Sequence, residues 1–324
     1  MKNFLILTEA GNRIGFGHLT RCEALYNQFK KKSYSVDLFV NLNDVVIENS
    51  VFDIVDWIDL HPSFFIEKYS VLIIDSYNVS ESWLSDFKDK NIILVHIDDY
   101  NRITYPVNLI LNPNVYGNTI DYNNQTAKCI GGPDYLILRE PFRHGEVKSN
   151  YKGSPRLLIT MGGSDYRNLL PRLIDWAIEL NLFKISVIAP EGLEVSTKGV
   201  EVLSLLDANL MANKIINSEV IISACGQTLH EIASINRSTI GIAIDIDQIP
   251  NHKFYNSINF IKGNLCWDQK ELEEEVKKEL IRLSDSLNRK KELKRNFKVN
   301  KNGVDNVVNE IIKLLSWIFL INVF

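Results

Sequence analysis

The sequence predicts an α/β protein made of two doubly wound, Rossmann-like domains, and three observations carry that expectation. Short apolar runs of strand length alternate with longer stretches of helical period along most of the chain. Runs such as Phe4-Leu5-Ile6-Leu7 and Val71-Leu72-Ile73-Ile74 are apolar at every position, as strands covered on both faces of a parallel sheet must be. The length, 324 residues, exceeds what one core usually supports and divides naturally into two domains.

Taken in order, the strand candidates of the first domain fall at 3–8, 35–40, 71–75, 91–97 and 108–111. Those of the second fall at 156–161, 184–189, 200–203, 219–223 and 239–244. Between the two sets, the stretch from Phe142 to Pro155 is polar, carries Gly145 and Gly153 and ends in proline, which marks a linker. The predicted domains are therefore 1–142 and 143–305. Leu272, Val276, Leu280 and Leu283 share one face of an amphipathic helix to which no chemistry is assigned. A last helix, 306–324, turns Val307, Val308, Ile311, Ile312 and Leu315 inward and is expected to return to the first domain.

Bulk properties narrow the function classes. A hydrophobic share of 45% with 23% charged residues is that of a globular protein, and a net charge of −4 argues against nucleic acid as a partner. Cys22, Cys129, Cys225 and Cys266 lie far apart with no C-x-x-C pair, which fits reduced cytoplasmic thiols rather than a disulfide framework or a zinc site. The opening apolar run is too short for a signal peptide. The apolar tail from Leu314 to Phe324 is roughly half the ~20 residues a spanning helix needs, so no stable membrane insertion is expected. Oligomeric state is not legible at this level.

The polar residues of interest cluster just after strand candidates, where ligands bind on parallel sheets. After the first strand comes a loop with Gly15, Gly17, His18 and Arg21, and an imidazole there can take a proton near neutral pH. Thr20 stands where the third glycine of a dinucleotide fingerprint would be, which disfavours nicotinamide or flavin; no cofactor is predicted. The helix start is expected to keep the His18 ring in its base form. Asp75 and Tyr77 follow the third strand and read as sugar-hydroxyl ligands or helix caps. Asp98 and Asp99 follow the fourth; with His96 they could hold a metal, or they could cap the next turn, and no metal is predicted. In the second half, Gly162, Gly163, Ser164, Asp165 and Asn168 form a small-residue turn before a helix, suited to a phosphate or sugar. Cys225, Gly226, Gln227, Thr228 and Glu231 form a second, able to hold a diphosphate and ribose, and Gln248 and Asn251 follow the last strand. The two rims are expected to face each other across a cleft.

These segments, in this order, resemble the UDP-sugar hydrolases of the pseudaminic-acid pathway and their spore-coat polysaccharide relatives, themselves similar to MurG-type glycosyltransferases. The resemblance rests on Gly15-Phe16-Gly17-His18-Leu19-Thr20-Arg21-Cys22, Ile74-Asp75-Ser76-Tyr77, Ile97-Asp98-Asp99 and the stretch Gly131 to Arg139. It continues through Met161-Gly162-Gly163-Ser164-Asp165, the stretch Ser223 to Glu231 and Asp247-Gln248-Ile249-Pro250-Asn251. It implies a GT-B fold, a UDP-sugar substrate with UDP on the C-terminal domain, His18 as catalytic base, Glu231 on ribose, and water attack at C1 with inversion. Gln227 and Pro250 depart from the family pattern. The runner-up is a glycosyltransferase on the same scaffold, in which an acceptor hydroxyl replaces water; a non-catalytic nucleotide-sugar binder is the third reading.

Overall fold

The computed structural model describes residues 3–11, 14–43, 51–145, 153–163, 165–190, 199–204, 206–294 and 298–321, with side chains as far as Ser316 at the C-terminal end. Ser164, residues 146–152 of the linker candidate and the last residues of the tail therefore lie outside the described residues. The chain forms two compact units, Met1–Leu138 together with Asn300–Phe324, and Arg139–Val299.

Unit 1 runs β1 (Asn3–Gly11), α1 (Gly17–Lys31), β2 (Ser35–Asn43), β3 (Asp53–Ile54), α2 (Ser63–Ile66), β4 (Val71–Asp75), α3 (Glu81–Ser85), β5 (Ile93–Ile97), β6 (Leu109–Asn112) and β7 (Lys128–Gly131). All seven strands are parallel, in the order β3-β2-β1-β4-β5-β6-β7. Because side chains alternate across a pleated sheet, each apolar run feeds two cores. Phe4, Ile6, Val71 and Ile73 face one side with Leu25 and Phe29 of α1. Leu5, Leu7, Leu72 and Ile74 face the other with Trp57, Phe65 and Phe87. β3 and β7 escaped the sequence reading because they are short edge strands with exposed or half-buried residues, leaving no apolar run to detect. β1 extends to Gly11, further than expected, and carries the fully buried Glu9 into the sheet.

Unit 2 runs α4 (Glu140–His144), β8 (Arg156–Thr160), α5 (Leu170–Leu180), β9 (Lys184–Ile188), β10 (Val200–Leu203), α6 (Ala208–Asn217), β11 (Val220–Ala224), α7 (Gln227–Ile235), β12 (Ser238–Ile242), α8 (Ile249–Ser257), α9 (Leu272–Ser284) and α10 (Ser286–Leu293). Its five parallel strands are ordered β10-β9-β8-β11-β12. Leu170, Leu173 and Ile174 of α5 and Leu272, Val276, Leu280 and Leu283 of α9 close one face of this sheet. Pro250, irregular against the family pattern, lies in the first turn of α8, where its missing N–H costs no hydrogen bond.

The final helix, α11 (Gly303–Ile321), belongs to unit 1, where Val304, Val307, Val308, Ile311 and Leu315 enter the core beside α1. No helix among the described residues is long and apolar enough to cross a membrane.

Candidate functional site

Both sheets reverse direction of growth next to their first strand. That leaves a crevice beyond the strand ends between β1 and β4 in unit 1, and between β8 and β11 in unit 2. The loops at these two points carry most of the residues singled out from sequence.

In unit 1, His18 sits in the first turn of α1, just after β1, and Asp75 is the last residue of β4. Gly15 makes the approach possible: its φ of +78° lets the chain fold back, so that Gly11 and Gly15 pair as a bridge before the helix begins. A side chain built on Gly15 or Gly17 would meet no atom within 4 Å outside its chain neighbours, so both glycines border open space. His18 Nδ1 lies 2.7 Å from Asp75 Oδ1. Arg21, one turn along α1, clamps Asp75 through Nε and Nη2 at 2.6 Å each and reaches Asp99 through Nη1 at 2.9 Å and Nη2 at 3.1 Å. The Tyr77 hydroxyl donates to Asp99 Oδ2 at 2.5 Å, and its ring stands edge-on to the imidazole with centroids 4.6 Å apart. His18, Arg21, Asp75, Tyr77 and Asp99 are thus one network.

Burial pulls the His18 pKa down and Arg21 acts the same way, but the charge and hydrogen bond of Asp75 together with the charge of Asp99 outweigh both, so the imidazole titrates above its ordinary 6.5. The expectation that the helix start keeps this ring neutral is corrected here: a carboxylate at hydrogen-bond distance overrides a helix-end dipole. Burial would raise Asp75 and Asp99, yet Arg21 holds Asp75 well below the usual carboxylate range and Asp99 below its ordinary value. With Nδ1–H donating to the Asp75 carboxylate, the neutral ring keeps its lone pair on Nε2. An imidazole oriented by a buried carboxylate, with only 6% of its surface exposed, can accept one proton at its free nitrogen.

Asp98 does something else. It accepts from the backbone N–H of Asn101 at 2.6 Å and the hydroxyls of Tyr105 and Tyr122 at 2.5 and 2.6 Å, so it caps the next turn. Burial lowers the neighbouring His96 to a pKa of about 4, its ring nitrogens meet no partner, and the ring packs on Tyr105 at 4.4 Å. Among the described residues no three His, Cys, Asp or Glu side chains are grouped to hold a metal.

In unit 2, Gly162 has φ +84° with open space where a side chain would stand. The Asp165 carboxylate accepts from the N–H groups of Leu169 and Leu170 at 3.0 and 2.9 Å, capping α5, and Asn168 takes a left-handed conformation between them. Gly226 is the N-cap of α7, and Gly226, Gln227 and Thr228 are half-buried at its start. Gln248 Oε1 accepts from Cys225 N at 3.0 Å and Asn251 Nδ2 donates to Cys225 O at 3.2 Å, so both side chains brace the turn from behind. Cys225 itself is buried, with its thiol pushed up by burial. Glu231 is buried and paired with Arg139 Nε and Nη2 at 2.7 and 2.8 Å.

No protein-family model matches the chain. The MurG of Acinetobacter baumannii overlays on it with a TM-score of 0.63 over 97% of this chain and all of that one, at 15% identity. A Staphylococcus aureus MnaA–UDP co-structure overlays with a TM-score of 0.63 over 98% of this chain and 97% of that one, at 12% identity. The chain has a GT-B fold. In sequence, the UDP-2,4-diacetamido-2,4,6-trideoxy-beta-L-altropyranose hydrolase of Campylobacter jejuni is 28% identical over 217 residues, 64% of this chain and 76% of that protein. A Helicobacter pylori protein named as pseudaminic acid cytidylyltransferase and the same hydrolase is 24% identical over 258 residues, 76% of this chain but 46% of that protein. The chain is thus a distant relative of nucleotide-sugar-modifying enzymes.

Within this GT-B chain, sequence reasoning missed three supports of the unit 1 network. Glu9, fully buried at the end of β1, accepts from Ser76 Oγ, Tyr77 N and Asn78 Nδ2 at 2.9, 2.8 and 2.7 Å. Asn114 donates to Asp99 Oδ1 at 2.7 Å and Asn112 to the Asp99 carbonyl at 3.0 Å. All three lie at or just past strand ends, so the rule that found Asp75 applies to them as well. Arg139 lies in a motif of the resemblance but had been given no role.

Proposed function

We propose that this protein breaks the anomeric C–O bond of a UDP-sugar, with His18 as general base. The observation that supports this best is the His18–Asp75–Arg21 network at the crevice of unit 1. His18 Nε2 takes the proton of an attacking hydroxyl, the hydroxyl oxygen bonds to C1, and the C1–O bond to the β-phosphate breaks with its electron pair leaving on UDP. One displacement inverts the anomeric carbon. Asp75 orients the ring and stabilises the imidazolium. Unit 2 is assigned the nucleotide: the turn at Gly162 and Gly163 and the start of α7 at Gly226, Gln227 and Thr228 present small residues and helix N–H groups to a diphosphate. Glu231 is assigned to ribose, in which case it exchanges part of its bond to Arg139 for the sugar hydroxyls.

Two attacking hydroxyls are in play. Hydrolysis, releasing a free 2,4-diacetamido-2,4,6-trideoxy sugar for nonulosonic-acid synthesis, is supported by the hydrolase activity for which the Campylobacter and Helicobacter relatives are named. Transfer to an acceptor hydroxyl has the broader support, since the MurG likeness runs along 97% of the chain. Incubating the pure protein with a panel of UDP-diacetamido sugars and following UDP and the product anomer by NMR separates them. Release without acceptor means hydrolysis; strict acceptor dependence means transfer. His18→Asn should bind UDP normally and lose about 10²–10⁴-fold in turnover. Full turnover in that variant ends the proposal.

A further inference from the structure

The unit 1 network is flanked by an aromatic side chain that no step above uses. Among the described residues of unit 1, the exposed large apolar or aromatic side chains are Val51, Ile54 and Tyr100, and Tyr100 is the ring among them, 47% exposed. It leans on Tyr77 with centroids 5.7 Å apart and planes at 59°, while Tyr77 in turn stands edge-on to His18 at 4.6 Å. The two tyrosines therefore form a corner beside the imidazole.

The loop that presents Tyr100 is tied down from several directions. Asp98 accepts from Asn101 N, the Tyr105 hydroxyl and the Tyr122 hydroxyl. Asn101, at φ +57°, donates its side-chain amide to the Asp121 carbonyl at 2.7 Å, and Arg102 Nη2 donates to the Val79 carbonyl at 2.7 Å. An exposed ring needs no such anchoring to remain exposed, whereas a ring that must meet a ligand in one orientation does. Aromatic faces take up the C–H-rich faces and acyl methyl groups of sugars, which hydroxyl ligands ignore, because an apolar body can be buried there at low entropy cost.

We propose that Tyr100 is a specificity-determining wall of the reaction site, stacking on the apolar C–H or N-acyl methyl surface of the sugar whose C1 reacts beside His18. The proposal rests on the reading of the substrate as a UDP-sugar, and it makes Asp98 a positioning residue for the ring.

The test is steady-state kinetics on the full chain with a UDP-diacetamido sugar, together with UDP affinity by calorimetry and saturation-transfer NMR on the sugar methyl groups. Tyr100→Ala should raise KM about tenfold, equivalent to about 1.4 kcal/mol of lost sugar binding. It should leave kcat and UDP affinity near wild type and abolish saturation transfer to the methyl groups. Tyr100→Phe should restore KM and the NMR contact. A wild-type KM with undiminished methyl contact in Tyr100→Ala overturns the proposal while the UDP-sugar reading stands. A wild-type protein that neither binds nor turns over any UDP-sugar overturns that reading, and this one with it.

Discussion

Replacing Arg21 by Met removes the cation that joins two buried carboxylates while keeping a side chain of similar length. The guanidinium makes two contacts of 2.6 Å to Asp75 and two of 2.9 and 3.1 Å to Asp99. Without it, Asp75 keeps His18 and the weak Cys22 thiol donor at 3.4 Å, and Asp99 keeps the Tyr77 hydroxyl and the Asn114 amide. Breaking a buried ion pair from one side costs about 3–5 kcal/mol. For a unit of this size each kcal/mol moves the midpoint by about 2–4 °C, so scanning calorimetry at pH 7 should show unfolding about 6–20 °C lower. The pH dependence is the sharper signature. In the parent protein Asp75 and Asp99 titrate below their ordinary 3.8, so their contribution is present above that value and fades as pH falls through it. In the variant burial and mutual repulsion raise both carboxylates, so its native state takes up protons and the gap between the two proteins narrows as pH falls from 7 toward 5. A midpoint loss under about 2 °C, or a gap that widens on acidification, would refute the reasoning.

Two further outcomes follow from the same geometry. Because His18 must be neutral to accept a proton and titrates above 6.5, kcat should fall on the acid side with a midpoint above that value; a rate flat between pH 5.5 and 8 removes the base role. Gly303→Ala would set a Cβ 2.1 Å from the Leu136 carbonyl oxygen and 2.7 Å from its nitrogen, and backbone cannot yield as a side chain can. The start of α11 should be displaced at a cost of about 1–3 kcal/mol, read as a lower unfolding midpoint, and an unchanged midpoint would show that α11 docks otherwise.

Much of the architecture was legible because it depends on local composition. Continuous apolar runs give parallel strands buried on both faces, and the inward stripe of α11 follows from periodicity alone. Edge strands β3 and β7 were invisible because none of their residues is buried, so they carry no apolar run. Glu9 was passed over because a glutamate in an apolar run reads as an interruption, while the fold makes it the acceptor for three donors of the loop after β4. Gln248 and Asn251 were read from their place after the last strand, which could not show that Gln248 Oε1 and Asn251 Nδ2 also hold the Cys225 backbone.

Which residues stand at the ends of parallel strands follows from local pattern, because strand length, glycine loops and helix starts are written in nearest neighbours. Which of those residues meet is settled by long-range packing: Asp75 with His18 and Arg21, Asp98 with a turn instead, Glu231 with Arg139. The reason is physical. Strand order places β4 beside β1 and so brings Asp75 to His18, 57 positions away in sequence, and the charge state of each group follows from the neighbours that pairing supplies.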